Sequence, residues 1–315
     1  TDVSFRCNLV TLSEEEERYE DKRILDHSSS EISTEDAAVL METLMQEMRR
    51  GGYEFYTGTS YRHLLIHKFG SVVELTAPHD ILTKRIGEYL PQDAVLREMM
   101  ETSYRILSNH PLNLERKAKG LNPANSVWFW GAGTRPMLTS FEEKYHKKGA
   151  MISAVDLLKG IAVGAEMDNI TVEGANGGLH TNYGGKAEAA VKALTEDGYD
   201  FVYVHIEAPD EMGHQGSIPD KIKAIENIDQ KIIGPIVGEL EDLCMDFRTL
   251  VLPDHPTPIC VRTHTGNPVP YLLYDSRKKA EGMPEYSERL GNKSPLFEKE
   301  GHRLLSRLFE MDNER

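Results

Sequence analysis

The sequence predicts an α/β core on a largely parallel sheet, preceded by a smaller α+β domain, and three observations point to it. From Ser126 onward, strand-like and helix-like stretches alternate along the chain. Within that region the run Phe201 to Ile206 is almost wholly apolar, as a strand covered on both faces must be. The earlier residues read differently, with one capped amphipathic helix and then short strands of alternating polarity. The expected boundary lies at about residue 120, giving a smaller domain over 1–120 and the core over 121–315.

The chain opens on Thr1-Asp2-Val3-Ser4-Phe5 and at once enters the strand-like run Phe5 to Val10, a beginning that reads as mid-domain. Ser33-Thr34-Glu35-Asp36 precedes an apolar-periodic stretch, Ala38 to Met48, that stops at Gly51-Gly52; this is a capped helix. Tyr53 to Lys68 alternates, broken by Gly58, and Ser71 to Thr76 is a further short strand. A second helix is expected from about Asp93 to Ser108, and the polar stretch Asn113 to Asn125 closes the domain. In the core, Val127 to Trp130, Ala150 to Ser153, Ile170 to Val172, Phe201 to Ile206 and Thr249 to Leu252 are the strands. Helices are expected at Phe141 to Lys147, Leu157 to Gly164, Lys186 to Leu194 and Ile222 to Leu240. Trp128 and Trp130 read as packed core, and Glu14 to Glu17 and the tail Glu298 to Arg315 as solvated surface.

With 315 residues and 39% hydrophobic composition the chain can bury a sizeable core. Fifty-one acidic against 36 basic residues give a formal charge of −15, which excludes a general binder of nucleic acid or membrane surfaces because the far field repels polyanions. An anionic small molecule is still admitted, since bound cations reverse the potential inside one cleft. Cys7, Cys244 and Cys260 form no CxxC pair and read as reduced thiols, and the N-terminus lacks a signal-peptide pattern, so a cytoplasmic location is expected.

Three segments carry chemistry. The strand ending near Ile206 runs into Glu207-Ala208-Pro209-Asp210-Glu211-Met212-Gly213-His214, so that one helical turn sets Asp210 and His214 on the same face. By itself this spacing is a weak signal and more often marks a solvated loop after a strand. The next segment repeats the geometry: Thr249 to Leu252 ends in Pro253-Asp254-His255-Pro256-Thr257-Pro258, stiffened by prolines. A third, Thr263-His264-Thr265-Gly266-Asn267-Pro268, supplies another imidazole. Three histidines with two aspartates make a nitrogen and oxygen donor set suited to zinc or manganese and poorly suited to calcium.

These segments, with Phe5 to Thr11, Tyr61-Arg62-His63, Ala77-Pro78-His79-Asp80, Val127 to Gly131 and Thr181-Asn182-Tyr183-x-x-Lys186, resemble the archaeal-type cofactor-independent phosphoglycerate mutases of the alkaline phosphatase superfamily. The resemblance implies an alkaline-phosphatase-like core with the site between the two domains. It implies two divalent ions, manganese or zinc: Asp210, His214 and His264 would hold one, and Asp254 and His255 the second. A phosphoserine intermediate would carry phosphate between 3- and 2-phosphoglycerate. Arg6, Arg62, His63, His79, Asp80, Arg135 and Lys186 become candidate substrate contacts, although isolated arginines and histidines beside strands are also ordinary surface groups. No serine here sits in the strand-to-helix context of the nucleophile, so that serine and one metal-binding aspartate are expected upstream. This stretch alone is accordingly expected to be inactive and to self-associate through exposed sheet surface. A homoserine-kinase-like phosphotransferase and a non-catalytic binding module are the rival readings.

Overall fold

The computed structural model describes residues 1–278, 282 and 284–310, and the chain divides into two compact units, Thr1–Pro136 and Met137–Arg315. The first contains β1 (Val3–Leu12), β2 (Ile24–Asp26), α1 (Thr34–Glu47), β3 (Tyr53–Tyr56), β4 (Arg62–His67), α2 (Ala94–Leu107), α3 (Pro111–Ala118) and β5 (Ser126–Thr134). Its strands form one antiparallel sheet of order β2-β1-β4-β3, with β5 also paired to β1. That pairing is why the units divide after Pro136 and not at the expected residue 120. β5 completes the first sheet, whereas the alternation of the sequence assigns Val127 to Trp130 to the second domain.

Local chemistry sets the helix ends. The Ser33 hydroxyl accepts from the Asp36 amide at α1, and the Asp93 carboxylate accepts from Val95 and Leu96 at α2. α3 lies in the stretch expected to be a polar connector. It buries Asn113 and Arg116, whose bonds to the Leu107, Ala124, Asn122 and Ser29 carbonyls replace the apolar stripe by which a helix is recognised. Ser71 to Thr76 forms no strand; the Thr76 carbonyl accepts from the Trp128 indole at 2.8 Å, and Val73 and Leu75 pack on the core.

The second unit contains α4 (Phe141–Tyr145), β6 (Gly149–Ile152), α5 (Asp156–Gly164), β7 (Asp168–Asn169), α6 (Tyr183–Thr195), β8 (Phe201–Val204), α7 (Ala208–Gln215), α8 (Ile218–Ile228), α9 (Gly234–Asp242), β9 (Arg248–Val251), β10 (Leu272–Asp275), α10 (Glu288–Gly291) and α11 (Arg303–Glu310). A π-helical turn, Asp229–Ile233, joins α8 to α9 where one continuous helix was expected. The parallel sheet has the order β7-β6-β8. β9 was expected to extend it; among the described residues it pairs antiparallel with β10 instead. The α/β class holds, with less parallel sheet than the sequence suggests.

The expectation of a solvated tail is corrected over its described part. Leu304 and Leu308 are buried, and Phe309 packs within about one ring of Phe141, Tyr145 and Phe201, at centroid distances of 6.0, 5.2 and 5.5 Å. Residues 311–315 lie outside the described residues.

Candidate metal centre

α7 starts three residues after β8, at the C-terminal edge of the parallel sheet, where open α/β sheets place their ligands. Pro209 is tolerated because the first turn needs no amide donor there. Asp210 and His214 then share one face at i,i+4, with His214 Nε2 3.3 Å from Asp210 Oδ2. His264 arrives from the loop after β9: its Nε2 lies 3.2 Å from His214 Nε2 and 3.4 Å from Asp210 Oδ1. Ligand bonds of roughly 2.1 Å around a tetrahedral ion separate their donors by about 3.4 Å. The three separations are of that size, those to Asp210 running to its two different oxygens, and one donor atom from each residue lies within 4.8 Å of the others, close enough for a single ion.

Two glycines permit this approach. A Cβ on Gly213 would stand 2.5 Å from the Thr257 carbonyl oxygen, so only glycine lets the Asp254 to Pro258 segment lie against α7. Gly216 ends α7 at φ +74°, and a Cβ there would strike the Arg262 guanidinium. With both segments close, Thr257 donates its hydroxyl to Asp210, and Lys221 donates to the Thr257 carbonyl at 2.7 Å. His214 Nδ1 is 3.0 Å from the Arg262 carbonyl. A carbonyl only accepts, so Nδ1 carries the hydrogen and the Nε2 lone pair faces the other two ligands.

Asp254 and His255 stand beside this cluster. His255 Nε2 is 3.3 Å from Asp254 Oδ2, its Nδ1 is 4.0 Å from Asp210 Oδ1, and its ring lies 3.7 Å from that of His264. The five residues expected to ligate metal are therefore brought together, three around one point and two next to it.

Lys186, on α6 in the same unit, is fully buried. Its Nζ donates to the His205 carbonyl at 2.9 Å and lies 3.8 Å from the Glu207 carboxylate. Burial lowers its pKa, against the pull of Glu207. Neither Glu207 oxygen receives a hydrogen bond from the described residues. Burial also depresses the His205 imidazole. Sequence reasoning passed over Thr257, Glu207 and His205, because support for a ligand from behind has no fixed spacing.

The other candidates belong to the first unit. Register places Arg6, Asn8 and Arg62 on one face of the sheet, with Trp130 on the same face. The Arg6 guanidinium sits 4.6 Å over Trp130, which is half-buried and packs against the core, as expected, while its indole also meets this cation. His79 meets Trp130 edge-on at 5.2 Å and lies 3.8 Å from Asp80. His27 links His79 to Tyr61, over which Arg62 lies at 4.9 Å. The structure thus gathers Arg6, Arg62, His79 and Asp80, and adds His27. His63 is not with them: paired with Cys7, it faces the opposite side, buried, its Nδ1 accepting from the Gly58 amide at 3.1 Å. Arg135 is exposed and makes no ion pair among the described residues.

Among the described residues no helix is long and apolar enough to cross a membrane. Residues 22–304 match the model of the metalloenzyme superfamily. A Methanosarcina barkeri protein named 2,3-bisphosphoglycerate-independent phosphoglycerate mutase is 49% identical over 300 residues, which cover 92% of this chain and 73% of that protein. A solved Pyrococcus horikoshii structure superposes with a TM-score of 0.76 at 27% identity, covering 100% of this chain and 74% of that one. A cofactor-independent phosphoglycerate mutase from Thermoplasma acidophilum shares the fold at a TM-score of 0.58 and 23% identity, over 98% of this chain and 77% of that one.

Proposed function

Because this chain belongs to the metalloenzyme superfamily, among the 2,3-bisphosphoglycerate-independent phosphoglycerate mutases, we propose that it serves the interconversion of 3- and 2-phosphoglycerate at a centre of two divalent ions, manganese or zinc. The observation that carries the proposal is the convergence of Asp210, His214 and His264 at tetrahedral spacing. In this reading those three hold one ion, and Asp254 and His255 contribute to a second. Bound divalent ions polarise phosphoryl oxygens and favour an alkoxide nucleophile at neutral pH.

The chain's own groups do the rest. Arg262, through its carbonyl, keeps the His214 lone pair on the ligand side, and Thr257 orients the Asp210 carboxylate. Arg6, Arg62 and His79 present the donors that a phosphate and a carboxylate require, and the Trp130 and Tyr61 faces hold the two guanidinium groups flat. The phosphoryl group rests on a serine between its two positions on the substrate. Among the described residues no serine hydroxyl is bonded to any of the five metal ligands, so the serine is to be found chemically.

The test is to supply the purified full-length protein, including any segment upstream of Thr1, with Mn²⁺ or Zn²⁺ and 3-phosphoglycerate labelled in its phosphate, and to read 2-phosphoglycerate by coupling to enolase. Acid quenching should trap label on one seryl peptide. Turnover that persists in chelator, or label that never reaches protein, overturns the proposal.

A further inference from the structure

We propose that Lys186 and Glu207 form a positioning clamp for the metal centre, holding the turn between β8 and α7 so that Asp210 and His214 keep their ligand geometry. This inference rests on the metal-dependent reading above. It gives Lys186 a different place from the direct substrate contact that the family resemblance implies.

Burial comes first. Among the described residues, the largest fully buried side chains include Trp128, Phe5, Phe129 and aliphatic residues of the first unit, and, from the second, Lys186. A lysine takes such a place only when its ammonium is bonded and paired. Its Nζ is sealed from solvent, bonds the His205 carbonyl at 2.9 Å and faces the Glu207 carboxylate at 3.8 Å. Both partners lie in His205-Ile206-Glu207, the three-residue link from β8 to α7.

Glu207 is also the N-cap residue of α7. Its backbone carbonyl accepts from the Asp210 amide at 2.9 Å and the Glu211 amide at 3.1 Å, so the position of Glu207 fixes the first turn that carries Asp210, and through it His214. One ammonium on α6 therefore holds the link at two points, a carbonyl and a carboxylate two residues apart. The carboxylate oxygens receive no hydrogen bond from the described residues, which leaves the Lys186 charge as their compensation. The dependence is mutual. Burial works against the charged lysine, Glu207 is the charged group that counters it, and the His205 imidazole lies in the same field.

The experiment uses Co²⁺ alone as the probe, titrated into wild type, Lys186→Met, Glu207→Gln and the double variant, and read from its visible ligand-field band. Hydrogen exchange of the Asp210 and Glu211 amides is followed in parallel. Each single variant should bind Co²⁺ about tenfold more weakly, the size of effect seen when the support behind a ligand is removed, with an altered band and faster exchange at both amides. The double variant, which buries no unpaired charge but lacks the same clamp, should lose about what either single variant loses, and a return to wild-type affinity would reduce the pair to mutual charge compensation and overturn the clamp. If Glu207→Gln does not fold, Glu207→Asp keeps the charge, shortens the reach and carries the same expectation. Folded single variants with wild-type affinity and exchange overturn the clamp, as does a double variant whose loss is the sum of the two. His214→Ala separates the two claims: if it binds Co²⁺ as wild type does, the metal reading fails, and the exchange rates still decide the clamp.

Discussion

The two units of this chain fill their interiors with side chains of different size. The first closes an antiparallel sheet around large apolar side chains, Phe5, Leu9, Trp128 and Phe129 among them, each at most 1% exposed. The second has a smaller apolar cluster of Tyr183, Ala187, Ala208, Ala224 and Ile232, and Lys186, Glu207 and Asp275 are buried in that unit, as Lys22 and Arg116 are in the first. Its apolar residues Ile218, Ile222 and Ile225 lie exposed along α8. The first cluster is built mostly of large side chains, and the buried members of the second are mostly alanine. Histidines divide the units as well. In the first unit His63 is buried and kept neutral; in the second, His214 and His264 turn their Nε2 atoms toward a shared point, with the His255 ring beside that of His264.

The comparison breaks most sharply at His214. His214→Ala should reduce turnover to less than about a hundredth and abolish Co²⁺ binding, while the metal-free melting temperature stays within about 2 °C, because a partly exposed side chain in the last turn of α7 carries little packing. Equal turnover with limiting metal would remove His214 from the site. Phe129→Ala is the mirror case: a loss of about 3–5 kcal/mol in denaturant unfolding, with Co²⁺ affinity unchanged in the protein that remains folded. An effect on affinity instead would mean that the two units are not independent.

pH sharpens the contrast. Burial pulls the His63 pKa down to about 4, against an unfolded value near 6.5. A histidine depressed in the fold favours the neutral form, so its contribution is complete above about pH 6.5 and is lost as pH falls toward 4. Integrated over that window the loss is about 3 kcal/mol, and His63→Asn, which keeps an acceptor for the Gly58 amide, should flatten the dependence in urea melts read from pH 7 to 4.5. The smallest effect is expected at Arg6→Ala. Losing the contact with Trp130 should cost roughly 0.5–1 kcal/mol of stability, and it should raise KM for phosphoglycerate more than it lowers kcat. A pure kcat effect would take Arg6 out of substrate binding.

What the sequence revealed follows the same division. The metal segments were legible because i,i+4 spacing on a helix and an Asp-His pair after a strand are short-range facts. α1 and α2 were legible from caps and period. β5 was assigned to the wrong unit because its partner β1 lies over a hundred residues earlier, and strand pairing leaves no local mark on a sequence. α3 was missed because its buried face is polar, and the parallel sheet was overextended because β9, read as apolar and short, pairs with β10. His63 and Arg62 are neighbours in sequence, yet a strand sends adjacent side chains to opposite faces, so a motif that names both as contacts ignores the pleat.

The hydroxyl of Thr257 has one hydrogen and two lone pairs. Its hydrogen goes to Asp210, and His255 Nδ1 stands 3.3 Å from the same oxygen. In the proposed two-ion reading, both positions would share this single rotor. Occupying either one would then bias how the rotor is held at the other and couple their affinities. A Co²⁺ titration of wild type is expected to depart from two independent isotherms, and Thr257→Val, which removes the rotor and keeps the volume, to restore them.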